Sequence, residues 1–378
     1  MSFRILSAAL FVLGTSLGGP SMAAPADDDT TRLNQIQVIG THNSYHAGIA
    51  PSEAKLWQAQ VPDLFRELDY RHPSLTAQLA EGVRQLELDI FADSKGGLYA
   101  HPAGPALTAK AGLPADPDFD PQHLMDKPGF KVMHVQDVDY RSVCQPLIAC
   151  LGEIRAWSKA HPKHVPLFIL LETKQETLKL AFPTVQPESF TSAVFDVLDQ
   201  EILSVFPRRE IVLPDDVRGR YATLDQAVRT KGWPSLSRTR GKVIFLMDQR
   251  KMGPVYLEGH PVLKGRVLFT NAVPGTPDAA FTEQNDTPAD QITALVRQGY
   301  LVRTRTDENT VEARNNDTTK RDAMLASGAQ ILSTDYPAGE PAQTGFQVGF
   351  PSHGAARCNP VLKAPDCRDA MLEPPALP

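Results

Sequence analysis

The sequence predicts an α/β fold, a (β/α)8 barrel, and three observations carry that prediction. Eight short runs rich in β-branched and apolar residues recur along the chain, most followed by a segment of helical pattern. Several of these runs hand over, at their C-terminal ends, to histidines, carboxylates or amides, which is where such barrels present chemistry. No glycine-rich phosphate loop follows the first run, which argues against an open doubly wound sheet. With 378 residues and 42% hydrophobic content the chain has ample apolar surface for one large core.

Taken in order, Met1 to Ala23 carries Arg4, an apolar stretch from Ile5 to Leu13 and a Ser21-Met22-Ala23 end. This is the pattern of a secretory leader cut after Ala23, and it is too short to span a membrane. It predicts a secreted or periplasmic protein. The barrel domain is expected over residues 24–340, with a tail over 341–378 packed on it. The first strand, Gln35–Gly40, contains Ile36, Val38 and Ile39 and runs directly into Thr41-His42-Asn43-Ser44. Ala50 to Asp69 reads as helix, and Ser74 to Glu81 as a short helix ended by Gly82.

The second strand, Val83–Phe91, alternates. Leu86, Leu88 and Ile90 share one face, and Glu87 and Asp89 the other, which in a barrel points into the mouth. A long Pro/Gly/Ala-rich connection from Ser94 to Gly129 follows. Phe130–Met133 is the expected third strand, delivering His134. Ser142 to Ala160 is helical, and His161 and His164 flank the turn after it, where exposure is expected. Pro166–Leu171 is the fully apolar fourth strand, delivering Glu172 and then Lys174. Pro187 to Phe206 places Phe190, Val194, Val197, Leu198, Ile202 and Leu203 at helical spacing. Leu224 to Arg229 is a shorter helix. The fifth strand, Gly241–Asp248, ends on an acid, and Arg266–Thr270 is the sixth. Pro288 to Gln298 is helical, with Thr287 as the expected cap and Pro288 at the first helical position. Leu301–Thr306 is the seventh strand and carries Arg303 and Arg305. Asp317 to Ser327 is helical, and Gln330–Thr334 is the eighth strand.

The cysteines fall in two close pairs, Cys144 with Cys150 and Cys358 with Cys367. In a chain with a secretory leader they predict two local disulfides, the second stapling the Pro-rich tail. Four cysteines allow three connectivities, of which proximity favours the nearest-neighbour one. Neither pair has the spacing of a zinc site. A formal net charge of −6 argues against non-specific nucleic-acid binding, and no polybasic tract is present to hold the chain on an anionic membrane.

The strand ends collect Asn43, Glu87, Asp89 and Glu172. An amide oxygen and three carboxylates form an oxygen-donor set suited to a hard cation, Ca2+ in particular. His42 and His134 beside such an ion suit a base and an acid. Lys174, Arg303 and Arg305 suit a phosphate group. Without a nucleophile elbow, the attacking group comes from the substrate or from water. The expected substrate is a phosphodiester, soluble or phospholipid, met by a monomer at transient contact with a membrane surface.

Three motifs then carry a resemblance. Ile39-Gly40-Thr41-His42-Asn43-Ser44-Tyr45, Leu86-Glu87-Leu88-Asp89 and Phe168-Ile169-Leu170-Leu171-Glu172 resemble the catalytic half of calcium-dependent phosphoinositide-specific phospholipases C. The run Phe130 to Trp157, with His134-Val135-Gln136-Asp137-Val138-Asp139, is similar to the secreted bacterial branch of that family. The resemblance covers roughly residues 33–340 and is strongest over 36–174. It implies that His42 is a catalytic histidine and that Asn43, Glu87, Asp89 and Glu172 hold calcium. It further implies attack by the inositol 2-hydroxyl on phosphorus, with diacylglycerol leaving. For the second histidine it leaves two candidates, His134 and His101, and the rigidity of a strand end favours His134. The accessory membrane-binding domains of the animal enzymes have no counterpart. A glycerophosphodiester phosphodiesterase, which usually carries His-Arg where this chain has His42-Asn43, and a headgroup-binding barrel without turnover are the competing readings.

Overall fold

A computed structural model describes residues 30–373; the leader read at Met1–Ala23 lies outside them. Ten strands form one sheet. In chain order they are β1 Ile36–Thr41, β2 Gln85–Phe91, β3 Lys131–Val132, β4 Leu167–Thr173 and β5 Val243–Met247. β6 Leu268–Phe269, β7 Phe281–Glu283, β8 Leu301–Arg305, β9 Ile331–Thr334 and β10 Ala356–Cys358 follow. Eight of them run parallel in the order β6-β5-β4-β2-β1-β9-β8-β7, with helices outside, a nearly closed α/β barrel.

The number of barrel strands agrees with the sequence reading, but two identities differ. The run at Phe130–Met133 shrinks to β3, which pairs antiparallel with the C-terminal end of β2 and stands outside the barrel. β2 pairs directly with β4, and the eighth barrel strand is instead β7 beside β8, three residues whose Phe-Thr-Glu sequence is too short to show a period. β6 and β7 are joined by a single parallel bridge, Asn271 to Phe281. The Asn271 side chain extends that closure: Oδ1 accepts the Glu283 N–H at 3.0 Å and Nδ2 donates to the Asp248 carbonyl at 2.6 Å.

Helix boundaries follow local chemistry. The expected helix from Ala50 to Asp69 breaks at Val61-Pro62 into Pro51–Gln60 and Pro62–Glu67, because Pro62 lacks the N–H that continuation requires. The helix after β7 begins at Ala289, with Pro288 as its cap. The Thr287 hydroxyl bonds Gln284 instead, at 2.6 Å. The short helix expected from Ser74 to Glu81 spans Leu75–Ala80, with Ser74 as its cap.

The core is one large cluster of aliphatic and aromatic side chains between sheet and helices. Inside the barrel, Gln85 lies against Gly40: a Cβ at position 40 would stand 2.0 Å from the Gln85 Oε1. Glycine at this position therefore lets a buried amide cross the barrel beside the first strand.

Both disulfides are the local ones, Cys144–Cys150 and Cys358–Cys367. The tail folds back so that β10 pairs antiparallel with the first half of β1, the part that β2 has not yet joined. Arg357 secures it, donating to the Gln37 Oε1 and to the Leu325 carbonyl. Among the described residues no helix is long and apolar enough to cross a membrane.

Candidate active site

β1 delivers His42 and Asn43 to the C-terminal mouth of the barrel. The turn is fixed from both sides. Thr41 and Ser44 share a hydroxyl contact of 2.6 Å, Thr41 bonds the Gln78 Oε1, and Gln78 returns a bond to the Ser44 carbonyl. Ser44 also accepts the Glu87 N–H at 2.8 Å, which ties this turn to β2. The His42 N–H bonds Thr334 in β9, and its carbonyl accepts from the His72 Nε2 at 3.0 Å. Asn43 sits in the left-handed region at φ 46°, which asparagine tolerates.

The His42 Nδ1 lies 2.7 Å from the Asp335 Oδ1. The tautomer that satisfies this carboxylate places the proton on Nδ1 and leaves the Nε2 lone pair facing Glu87, 3.7 Å away. The ring keeps 18% of its side-chain surface open. Burial, with Arg305 and Arg303 nearby, holds its pKa well below the usual histidine value, so the ring is neutral. Asp335 immediately follows β9 and is itself buried.

β2 and β4 bring three carboxylates together. Ligand atoms of Glu87, Asp89 and Glu172 all lie within 4.8 Å of one another. Burial pushes Asp89 well above the ordinary carboxylate range, Glu172 adds to the push, and Glu87 is raised to about 7. The Lys174 Nζ stands 3.1 Å from the Asp89 Oδ2 and 3.2 Å from Glu172. Even so, neither Asp89 oxygen receives a well-formed hydrogen bond. Acidic and largely buried, with both Asp89 oxygens unsatisfied, this set fits a hard divalent cation by its donor chemistry. Asn43, the fourth expected ligand, donates from Nδ2 to the Tyr70 hydroxyl at 2.7 Å, and its Oδ1 accepts from Tyr45 at 3.3 Å.

The candidate phosphate-binding cations are all engaged with acids. Arg303 reaches Glu87 at 2.5 Å and Glu283 at 2.7 Å, from the middle of an acidic ring that Asp248 joins. Burial, and the neighbouring Glu283, raise Asp248 well above the carboxylate range. The Arg305 Nη2 lies 3.3 Å from the His42 Nδ1 and 3.6 Å from Asp335. Lys174 bridges Asp89 and Glu172 as described.

His134 is partly open and shares one carboxylate with a second histidine. Its Nδ1 lies 2.8 Å from the Asp139 Oδ2, and the fully buried His46 reaches the same group from Nε2 at 2.9 Å. Burial alone would raise Asp139, but the two histidines outweigh it and hold the group well below the usual carboxylate range. Rings form a chain across the mouth: His42 to Tyr70 at 6.1 Å, Tyr70 to His46 at 4.7 Å, His46 to His134 at 6.1 Å. His101, the other candidate, is exposed on the long connection.

Sequence reasoning missed Asp335, Asp139 as a bridge, and Glu283. Asp335 was open to the same strand-end reading that found Asp248. Asp139 stood inside the quoted His134 motif. Glu283 ends a strand too short to recognise.

A model of the family "Phosphoinositide phospholipase C, Ca2+-dependent" matches residues 31–360. Among solved structures the chain is similar to a calcium-dependent phosphoinositol-specific phospholipase C from a Gram-negative Pseudomonas sp. The identity is 16% over 90% of this chain and 99% of that one, with a TM-score of 0.52. The same Pseudomonas enzyme in its myoinositol complex is 16% identical, covering 89% and 100% of the two chains, TM-score 0.51. A Ca2+-dependent phosphatidylinositol-specific phospholipase C from Streptomyces antibioticus is 18% identical, covering 81% and 95%, TM-score 0.50. No curated protein sequence matches the chain. At these identities the solved structures show the shared barrel, while the family match runs through nearly all of it, and the chain belongs to the calcium-dependent phosphoinositide phospholipase C family of phosphoric diester hydrolases.

Proposed function

We propose that the protein is a secreted phosphodiesterase that cleaves phosphatidylinositol, or a closely related phosphodiester, by acid–base catalysis between His42 and His134. The observation that carries this reading is the convergence of Glu87, Asp89 and Glu172 beside His42, which Asp335 backs. The myoinositol bound by the Pseudomonas relative supports an inositol headgroup.

His42 accepts the proton of the inositol 2-hydroxyl at Nε2. Asp335 holds the Nδ1–H, so the ring keeps its orientation and the imidazolium that forms has a counter-charge 2.7 Å away. The 2-oxygen forms its bond to phosphorus as the bond to the glycerol oxygen breaks. His134 gives that leaving oxygen a proton, and Asp139 plays for His134 the part that Asp335 plays for His42. The products are diacylglycerol and an inositol cyclic phosphate. Glu87, Asp89, Glu172 and Asn43 would hold calcium, which when bound would supply positive charge for the phosphoryl oxygens. Arg303 and Lys174 lie beside the same carboxylates as the candidate contacts for phosphate, with Arg305 next to His42. Secretion is supported by the leader pattern and by the absence of a free cysteine.

The test is release of cyclic inositol phosphate from phosphatidylinositol vesicles, with and without a calcium chelator. Chelation is expected to abolish turnover. H42A is expected to lower kcat by roughly 10²–10⁴-fold, the usual contribution of a general base. Chelator-resistant turnover, or an H42A enzyme of normal kcat, would overturn the reading.

A further inference from the structure

We propose that the opposite end of the barrel carries a second ligand site, a basic cavity that takes a compact anion bearing two or more phosphate groups. The cavity has a volume of about 970 Å³ and, among the described residues, is lined by Arg32, Arg208, Arg209, Lys231, Arg238 and Lys242 against one carboxylate, Asp216. Lys242 immediately precedes β5, and Arg32 lies just before β1, bridged to Ser235. These are the N-terminal ends of barrel strands. Leu167 pairs with Val243, and Glu172 lies five residues further along β4. At the rise of a β-strand the cavity is about 20 Å from the catalytic carboxylates.

Among the described residues this charge is not compensated. The Asp216 Oδ2 accepts the Leu213 N–H, capping the helix Pro214–Arg218 rather than pairing with a cation. Among the described residues Arg209 forms an ion pair with Glu210 alone, at 3.8 Å, and that carboxylate already serves Arg155 at 2.8 Å and Lys159 at 3.4 Å. Among the described residues Arg32, Arg208, Lys231, Arg238 and Lys242 form no ion pair with protein. Arg32 is nevertheless fixed, its Nη1 donating to the Trp233 carbonyl at 2.8 Å. Cations that line one cavity stand within about a screening length of one another, so they repel. On a chain of net charge −6 this concentration of positive charge runs against the overall balance.

The chemistry selects the ligand class. Four guanidinium groups offer paired donors that match phosphate oxygens, and the two lysines add point charges. The volume lies within the range of small-molecule sites. A concave site at the far end from the catalytic mouth does not suit the bilayer that the mouth addresses. The acidic remainder of the surface disfavours an extended polyanion.

Titration calorimetry of the full chain with sodium tripolyphosphate, in buffer without added calcium, tests the site. One-to-one binding is expected. R238Q/K242Q is expected to weaken it by at least about tenfold, one lost charge-assisted contact or more. R208Q, which changes an exposed side chain, is expected to weaken it as well. Turnover of phosphatidylinositol by both variants is expected to stay at the wild-type rate, which separates this site from the catalytic one. Co-sedimentation with anionic phosphatidylglycerol vesicles distinguishes a lipid source, and should be the same for wild type and R238Q/K242Q. Absence of tripolyphosphate binding, equal binding by wild type and variants, or loss of vesicle binding in R238Q/K242Q would each overturn the proposal.

Discussion

Lys174 is the side chain whose place says most about how the site handles charge. Its ammonium sits against Asp89 and Glu172, and although burial works against the charged form, Asp89 and Glu172 outweigh it and hold the lysine pKa above its ordinary value. A divalent cation and an ammonium cannot both sit close to these oxygens without mutual repulsion. Removing the ammonium in K174M is therefore expected to raise calcium affinity by about tenfold, the equivalent of one modest ion pair. Calorimetric titration with calcium checks this, and a weaker affinity would mean that Lys174 supports the ion. His164 is a second case in which environment overrides local pattern. The turn at His161-Pro162-Lys163 predicts exposure, yet His164 is buried with its Nε2 2.7 Å from the Ser158 hydroxyl. Burial lowers its pKa to about 4. Below the unfolded value near 6.5 the unfolded chain binds a proton that the folded chain refuses, so stability falls as pH falls toward 4. Between pH 7 and pH 5 the loss from this group is about 2 kcal/mol. Thermal unfolding should show H164Q losing less stability than wild type across that interval. At this scale the sequence was legible where a side chain sat on or just after a recognised strand, as with His42, Glu87 and Glu172, which the structure brings to one mouth. It was not legible where partners such as Asp139 and His46 meet only after folding.

The elements that escaped the sequence reading are those whose stability comes from neighbours. β7 spans Phe281–Glu283 and β6 only Leu268–Phe269, so neither carries a period of its own. Their shared edge has one backbone bridge and leans on Asn271, which Arg250 also engages through the Asn271 carbonyl and Oδ1. The neighbouring crossings β2–β4 and β4–β5, with long β-branched and leucine-rich strands, were found readily. N271A leaves the Glu283 N–H and the Asp248 carbonyl without their partners. The expected cost is about 2–4 kcal/mol, the sum of two buried groups left unsatisfied. Chemical denaturation would measure it. Because Glu283 ends β7 and pairs with Arg303, the same variant should also disturb the Arg303–Glu87 pair, and release of Glu87 from that cation is expected to strengthen calcium binding. An N271A protein of unchanged stability would show that the barrel closes without this stitch.

Over the whole molecule, the barrel concentrates acid at one end. Glu87, Asp89, Glu172, Asp248 and Glu283 surround the mouth, answered mainly by Arg303 and Lys174. Fold class and the disulfide pairing were open to sequence reading because periodicity and cysteine spacing are local. The degree of burial that makes this acidic cluster costly is a property of the closed barrel and has no sequence signature. The consequence is linkage between calcium and folding. An ion that binds the assembled carboxylates but not the unfolded chain stabilises the fold by about 2.7 kcal/mol at a hundredfold excess over Kd. In a chain of this size that corresponds to a rise in Tm of roughly 3–4 °C. Replacing Asp89 by asparagine removes one of the mutually repelling acids, so D89N should have a higher Tm than wild type in chelator and a smaller rise on adding calcium. Magnesium, which gives up its water reluctantly and demands a tighter octahedron, is expected to raise Tm less than calcium at equal concentration. Thermal unfolding in chelator, calcium and magnesium decides the matter, and a Tm indifferent to calcium in the wild type would show that the three carboxylates do not hold the ion.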